Sequence, residues 1–286
     1  MNVQDVTARI VRSDGAELLL DETNWGLTGV EGAAAPNIEL FTADLASGDG
    51  SIITGKRVAS RDLVLSADVM DTRSNAALRH SAIAFANHRF SFKVYFTYLG
   101  CTRWLAADLA AFRCPVVGIA EKQSLSLHFL ATAPYWQSMD DFGQDIAAIT
   151  PRWGFPYMDN PTFGMVVDVV NFARQVVFDY DGDVPAYPAV TITADGDVTN
   201  PKLIKDGAFV RLLDTLHAGD TVHLSTDPRR IRIEKNGQNV LHKVDRASNF
   251  RAMAMQPGTN TVSYAADHGD NHLHVVLRYN KQYLGV

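Results

Sequence analysis

The sequence predicts a mainly β protein of two domains, and three observations carry that expectation. Short runs of alternating apolar and polar residues recur along the chain, separated by Asp-Gly, Asn-Gly and Asn-Pro turns, as antiparallel strands require. Only one stretch, Thr72 to His88, has apolar residues at helical spacing. At 286 residues the chain exceeds one typical domain, which favours two, although a single all-β domain can grow as long.

The elements follow in order. Thr7–Arg12 and Ala16–Leu20 flank Ser13-Asp14-Gly15 and read as a first hairpin. From Asp21 to Lys56 the glycines thicken and the alternation fades, so this segment is expected to form long loops or a protruding arm suited to contacts. Arg61–Val69 alternates again, with Leu63, Leu65, Ala67 and Val69 on one face. In the helix, Leu78, Ala82, Phe85 and Ala86 share a stripe, and Asp71 or Thr72 can cap it. Phe90–Tyr98 is a strand turned back by Leu99-Gly100 into Thr102–Leu105, and Gln123–Leu130 is the last strand of the first domain.

A boundary is expected near Ser138 to Thr150. This gives a first domain over 1–140, a linker over 141–161 carrying Pro151, Pro156 and Pro161, and a second domain over 162–286. No helix is expected beyond Thr162. Short alternations at Met165–Val170, Ala189–Thr193, Phe209–Leu213 and Thr221–Leu224 suit a β-sandwich, and Arg230–Val240 is a hairpin whose Asn236-Gly237 supplies the positive-φ pair of a type I′ turn.

Composition bounds the function. Apolar residues make up 47% and charged residues 20%, which suits an ordinary folded chain, and the net charge of −6 argues against a protein whose main task is gripping nucleic acid. No apolar run approaches the roughly 18 residues needed to span a bilayer, and Met1–Asp5 lacks the pattern of a signal peptide, so no membrane insertion and cytoplasmic synthesis are expected. Cys101 and Cys114 lie in apolar surroundings and are read as reduced core thiols, with a disulfide as the minority reading.

Several patterns resemble chemistry without completing it. Gly50-Ser51-Ile52-Ile53-Thr54-Gly55-Lys56-Arg57 has the glycine and lysine spacing of a phosphate loop but puts Arg57 where a magnesium-binding hydroxyl belongs, and a strand-like run follows instead of a helix. His268, His272 and His274 form an H-x3-H-x-H cluster that could ligate a metal, yet the Gly269-Asp270-Asn271 turn and the lack of a nearby cysteine favour solvated histidines. Asp179–Asp183 hints at Ca²⁺, but a calcium loop would end in a glutamate where Val190 stands. There is no Gly-x-Ser-x-Gly elbow, and Glu234 is the only glutamate after Glu121, so no paired carboxylates present themselves for glycoside hydrolysis. The expectation is a protein with no catalytic, cofactor-binding or metal-binding residues.

One ordered set of segments is more specific. It runs from Leu203-Ile204-Lys205 through Asp220-Thr221-Val222, the Asn236-Gly237 hairpin, Asp245–Phe250 and Gln256-Pro257-Gly258-Thr259-Asn260 to Tyr279–Val286. In this series the chain resembles the distal tail proteins of long-tailed bacteriophages. The first half is similar to the same family through Arg61–Val69, the helix with Leu78 and Arg79, the strand pair after Phe90, and Ala133-Pro134-Tyr135-Trp136. The resemblance implies a split-barrel-like first domain that closes into a homohexameric ring and a galectin-like second domain outside it. It further implies a ring docked on the tail tube protein, bound to the tail-tip hub or tail-associated protein and to receptor-binding or fibre proteins. DNA would pass only as cargo, through a channel that an acidic balance suits. The implied location is the virion tail tip, after assembly in the host cytoplasm. The alternative is a carbohydrate-binding receptor module. Trp153 lies near the linker, the galectin sugar signature is absent, and Tyr180, Tyr187 or Tyr264 remain as residues that could stack on a sugar.

Overall fold

In Arg61–Val69 every second side chain is buried while its neighbours face outward, so period-two alternation alone orients the strand. The same rule builds a sheet around it. The computed structural model describes residues 6–118, 121–139, 142–145, 149–151, 168–170 and 175–286. The chain forms two units, Met1–Met139 together with Gln282–Val286, and Asp140–Lys281. The sequence reading gave the last five residues to the sandwich; they pack instead in the first unit.

In the first unit β1 (Val6–Arg12) and β2 (Glu17–Leu20) form the expected hairpin, and β3 (Trp25–Glu31) follows. A separate two-stranded hairpin comes next, β4 (Ile38–Asp44) with β5 (Ser51–Val58), and then β6 (Arg61–Val69). After α1 (Asn75–Phe85) come β7 (Ser91–Tyr98), β8 (Cys101–Arg113), β9 (Ser124–Ala131) and β10 (Trp136–Ser138). The sheet order is β2-β1-β7-β8-β9-β6-β3, with β10 on β8 and the strand Gln282–Tyr283 on β10.

The inward faces supply Ile10, Leu20, Trp25, Leu63, Leu65, Val94, Phe129 and Trp136 to one core. Phe92 packs tilted or edge-on against Phe85 of the helix and Phe129 at centroid distances of 5.7 and 5.6 Å, the arrangement aromatic quadrupoles favour. The helix buries Ala82 and Phe85, with Leu78 packed partly against the core. It is shorter than read from spacing because Asp71 instead caps a 3₁₀ turn, Thr72–Ser74, which leads into it.

Two further expectations are corrected. Part of Asp21–Lys56 is sheet, since β3 pairs with β6 and Trp25 is buried; glycines at 26 and 29 thin the alternation, and the register shifts between Leu27 and Gly29. Cys101 is exposed beside the Leu99-Gly100 turn, and Cys114 is half-buried, where desolvation raises its thiol above the ordinary range. Both thiols are free. The 13-residue β8 holds them roughly 40 Å apart, far beyond the span of a disulfide.

In the second unit the strands Phe142–Asp145, Leu273–Tyr279, Ala189–Ala194, Thr221–Ser225, Arg232–Lys235 and Gln238–Asn239 make a six-stranded sheet. Gln175–Tyr180, Gly258–Ala265, Lys202–Lys205 and Ala208–Arg211 make a four-stranded one. Val190, Val222, Leu224, Val275 and Leu277 of the first meet Leu203, Val210, Val262 and Tyr264 of the second in a shared core, which defines a sandwich. Asn236 (φ 51°) and Gly237 (φ 79°) form the predicted turn. The Met165–Val170 alternation falls largely, and Trp153, Pro156 and Pro161 wholly, outside the described residues.

Candidate functional site

Every residue of β4 is exposed, and so is every residue of β5 except the half-buried Gly55 and Val58. Side chains opposite one another in an antiparallel pair share a face, so Ile38, Leu40, Ile53 and Val58 lie on one side of this arm, and Phe41, Ala43 and Ile52 on the other. Ile38 and Ile53 are 65% and 64% exposed, although β-branched apolar residues ordinarily seek burial. Internal support is slight: a Glu39–Arg57 ion pair at 2.6 Å, the Arg57 guanidinium over the Phe41 ring, and a bond from the Thr54 hydroxyl to the Phe41 carbonyl. A lone two-stranded hairpin is marginal in water. Apolar side chains exposed on both faces of such a hairpin make it a candidate contact surface.

The root of the arm is held by a dense set of hydrogen bonds. Arg61 is 2% exposed, and its guanidinium donates to four carbonyls: Pro134 from Nε at 2.6 Å, Gly32 and Ala34 from one terminal nitrogen at 2.6 and 2.5 Å, and Leu284 from the other at 2.6 Å. Burial pushes the guanidinium down to about 10, which leaves it cationic at neutral pH. Trp136 donates its indole N–H to the Ala33 carbonyl, and the Val286 amide donates to the same oxygen. Gly32 has φ +83°, and a Cβ there would lie 1.9 Å from the Asp62 carbonyl oxygen, so the close approach requires glycine. The segment 32–34, from which the arm springs, is thus strapped to β6, to the loop before β10 and to residues 284–286.

The patterns singled out by sequence separate on inspection. Gly50–Arg57 occupies the arm's tip and β5, so its glycine and lysine spacing belongs to a hairpin. His272 and His274 do converge, but on a carboxylate: Asp195 Oδ1 lies 2.7 Å from His272 Nδ1 and Oδ2 lies 3.2 Å from His274 Nε2. The hydrogen bonds from His272 and then His274 hold that carboxyl below its ordinary range. Asp181 pairs with Lys281, and Tyr180 is buried with its hydroxyl on the Val184 carbonyl. Glu234 pairs with Arg232. Tyr180 and Tyr264 are core residues, 1% and 3% exposed, which corrects the idea that they could stack on a sugar; of the three tyrosines only Tyr187 is partly accessible.

Sequence reasoning missed Arg61 and Asn260. Asn260 is 1% exposed and brackets the Pro257-Gly258 turn, accepting from the Gln256 amide and donating to the carbonyls of Gln256 and Gly258.

A β-rich unit that bares an apolar arm, joined to a sandwich, presents the kind of contact surface that assembly proteins use. The comparisons relate part of the chain to a known family. Residues 181–283 match the family described as siphovirus-type tail component, C-terminal domain. No curated protein sequence matches the chain. Among solved structures the chain is similar to the SPP1 Dit protein, described as a paradigm of the hub adsorption apparatus in phages infecting Gram-positive bacteria. The TM-score is 0.68 at 14% identity over 96% of this chain and 98% of that one. It is also similar to a chain of the phage P2 baseplate in its activated conformation with Ca, with a TM-score of 0.53 at 8% identity over 98% and 99% of the two chains. The two kinds of finding point the same way: residues 181–283 match a siphovirus-type tail family, and the fold of the SPP1 Dit protein is shared over nearly the whole length.

Proposed function

We propose that the chain is a non-catalytic tail-tip protein that closes into a homohexameric ring. The ring joins the tail tube protein to the tail-tip hub or tail-associated protein, carries receptor-binding or fibre proteins, and leaves a channel for DNA. The observation that carries the reading is the arm, because a cyclic ring needs two different patches per subunit and a reaching hairpin supplies one. The siphovirus-type family match and the hub and baseplate settings of the similar structures support it. On this reading the protein resides at the virion tail tip, is assembled in the host cytoplasm, and needs neither cofactor nor membrane. The second unit would be its galectin-like domain.

The test is the mass of the purified protein in solution, with electron microscopy of the particles. Rings of six support the proposal. A version with 38–58 replaced by a short Gly-Ser link between Asn37 and Ala59, which the Ala59 amide already holds at 2.9 Å from the Asn37 carbonyl, should fold and stay monomeric. A monomeric wild type would count against the ring.

A second reading, glycan recognition by the sandwich, is favoured by one groove of about 430 Å³ lined by Asp214, His217, Lys235, Asn236, Gln238 and Lys243. Lys235 and Lys243 are held there by Asp214, with Lys235 also on Asp220, so the polar groups largely satisfy one another. Selective binding of the full chain on a glycan array would favour this reading, and no binding would remove it.

A further inference from the structure

The ring reading makes no use of the cluster formed by two histidines of the H-x3-H-x-H run. In the six-stranded sheet Leu273–Tyr279 lies antiparallel beside Ala189–Ala194, with Leu273 opposite Ala194 and His274 opposite Thr193. The ladder runs one step past both strand ends, where the Asp195 amide donates to the His272 carbonyl at 3.0 Å. Asp195 therefore stands opposite His272 and diagonal to His274. Leu273 and Ala194 are buried, so period two turns the three polar side chains together onto the outer face. All three are about half exposed, within reach of a solute. The next residue shapes the site. Gly196 lies outside the left-handed region, so its backbone does not call for glycine, yet a Cβ there would lie 2.7 Å from both Cγ and Nδ1 of His272. The missing side chain is the room in which the imidazole rests.

We propose that His272 Nδ1, His274 Nε2 and the Asp195 carboxylate bind one divalent transition ion of the zinc or nickel class at this end of the sandwich. The inference does not rest on the ring reading. Two imidazole nitrogens and a carboxylate are donors that such ions prefer, and three protein ligands leave positions for water. Neighbouring ligands each about 2.1 Å from one ion stand roughly 3 Å apart, and the two N···O distances here, 2.7 and 3.2 Å, bracket that spacing. As they stand, no three His, Cys, Asp or Glu among the described residues enclose an ion. Here the reason is that each ring is turned to hydrogen-bond the carboxylate. The ion replaces those two bonds, which side chains this exposed permit by small rotations. Ca²⁺ and Mg²⁺ are disfavoured, since they seek a shell of oxygens.

Isothermal titration of the full-length protein with Zn²⁺, Ni²⁺ and Ca²⁺ tests this, with circular dichroism to confirm folding. One Zn²⁺ or Ni²⁺ per chain is expected, and no Ca²⁺. His272→Ala, His274→Gln and Asp195→Asn should each weaken binding about tenfold or more. Gly196→Ala keeps every ligand but crowds the His272 ring, so it should weaken binding in the same direction. Failure of the wild type to bind Zn²⁺ or Ni²⁺ at millimolar ion overturns the proposal. So does binding that survives both histidine substitutions, which would put the ion on other residues, such as the His217–Asp197 pair with Nδ1 and Oδ1 2.7 Å apart. Equal affinity for Ca²⁺ would overturn the assignment to a nitrogen-ligated ion.

Discussion

Among the described residues Arg61 is a cation without a carboxylate partner. Its charge is balanced by the negative ends of four carbonyl dipoles, and a planar fork with five donors is the one side chain that can reach them together. Arg61→Met would leave those oxygens without donors, and the expected cost is about 3 kcal/mol or more, read as a lower urea midpoint; Arg61→Lys should recover only part of it. A loss under about 1 kcal/mol would show that water replaces the strap. The residue was illegible in the sequence because an arginine opening an alternating strand reads as solvent-facing, and its acceptors come from segments as distant as Leu284, 223 residues on. Asn260 hid for the same reason: its partners are local, but nothing in the pattern marks it as buried. A titratable counterpart lies at Asp220, whose carboxyl is held well below its usual range by the His217 amide first, then Asn236 and Lys235. A depressed carboxyl contributes stability above its unfolded value, near 4, and loses it as the pH falls through the lower folded value. Wild-type urea midpoints should therefore fall below about pH 4, and Asp220→Asn should lower the midpoint at pH 7 while flattening that acid limb. Parallel acid limbs for the two proteins would remove Asp220 as a contributor.

Strands were the most legible elements, because period two is unambiguous where one face is buried: Leu63, Leu65, Ala67 and Val69 were placed correctly. Where both faces are exposed the signal vanishes, and the arm could be read only as a loop, since β4 has no inside to alternate against. The turn Leu99-Gly100 was located but its strain was not. Leu99 has φ 47° and is 62% exposed, so it holds a left-handed conformation without the return of burial. Leu99→Asn suits the type I′ geometry and should raise stability by about 0.5–1 kcal/mol in thermal unfolding. A decrease would mean that the leucine side chain is held by something the hairpin alone does not provide.

At the scale of the molecule, two units were foreseeable from length and from the proline-bearing stretch after Ser138, but the return of Gln282–Val286 to the first unit was not, because a two-residue strand has no period to read. That segment pairs with β10, offers the Leu284 carbonyl to Arg61 and the Gly285 carbonyl to Arg103, lays Tyr283 under the Arg103 guanidinium at 3.5 Å and joins the Val286 amide to Ala33. Removing 282–286 should therefore speed hydrogen exchange in β3, β6 and β10 while leaving Ala189–Ala194 and Leu273–Tyr279 protected; the opposite pattern would assign the segment to the sandwich after all.

The same return sets an order on folding during synthesis. When β6 leaves the ribosome, Arg61 has only some of its acceptors, and the carbonyl of Leu284 arrives after all of Asp140–Lys281 has been made. The first unit begins early and finishes last, with the sandwich completed in between. A chain cut short before Leu284 keeps the bonds from Arg61 to Gly32, Ala34 and Pro134 but lacks those from Leu284 and Val286, so the root of the arm gains its last straps only after the second unit has been made.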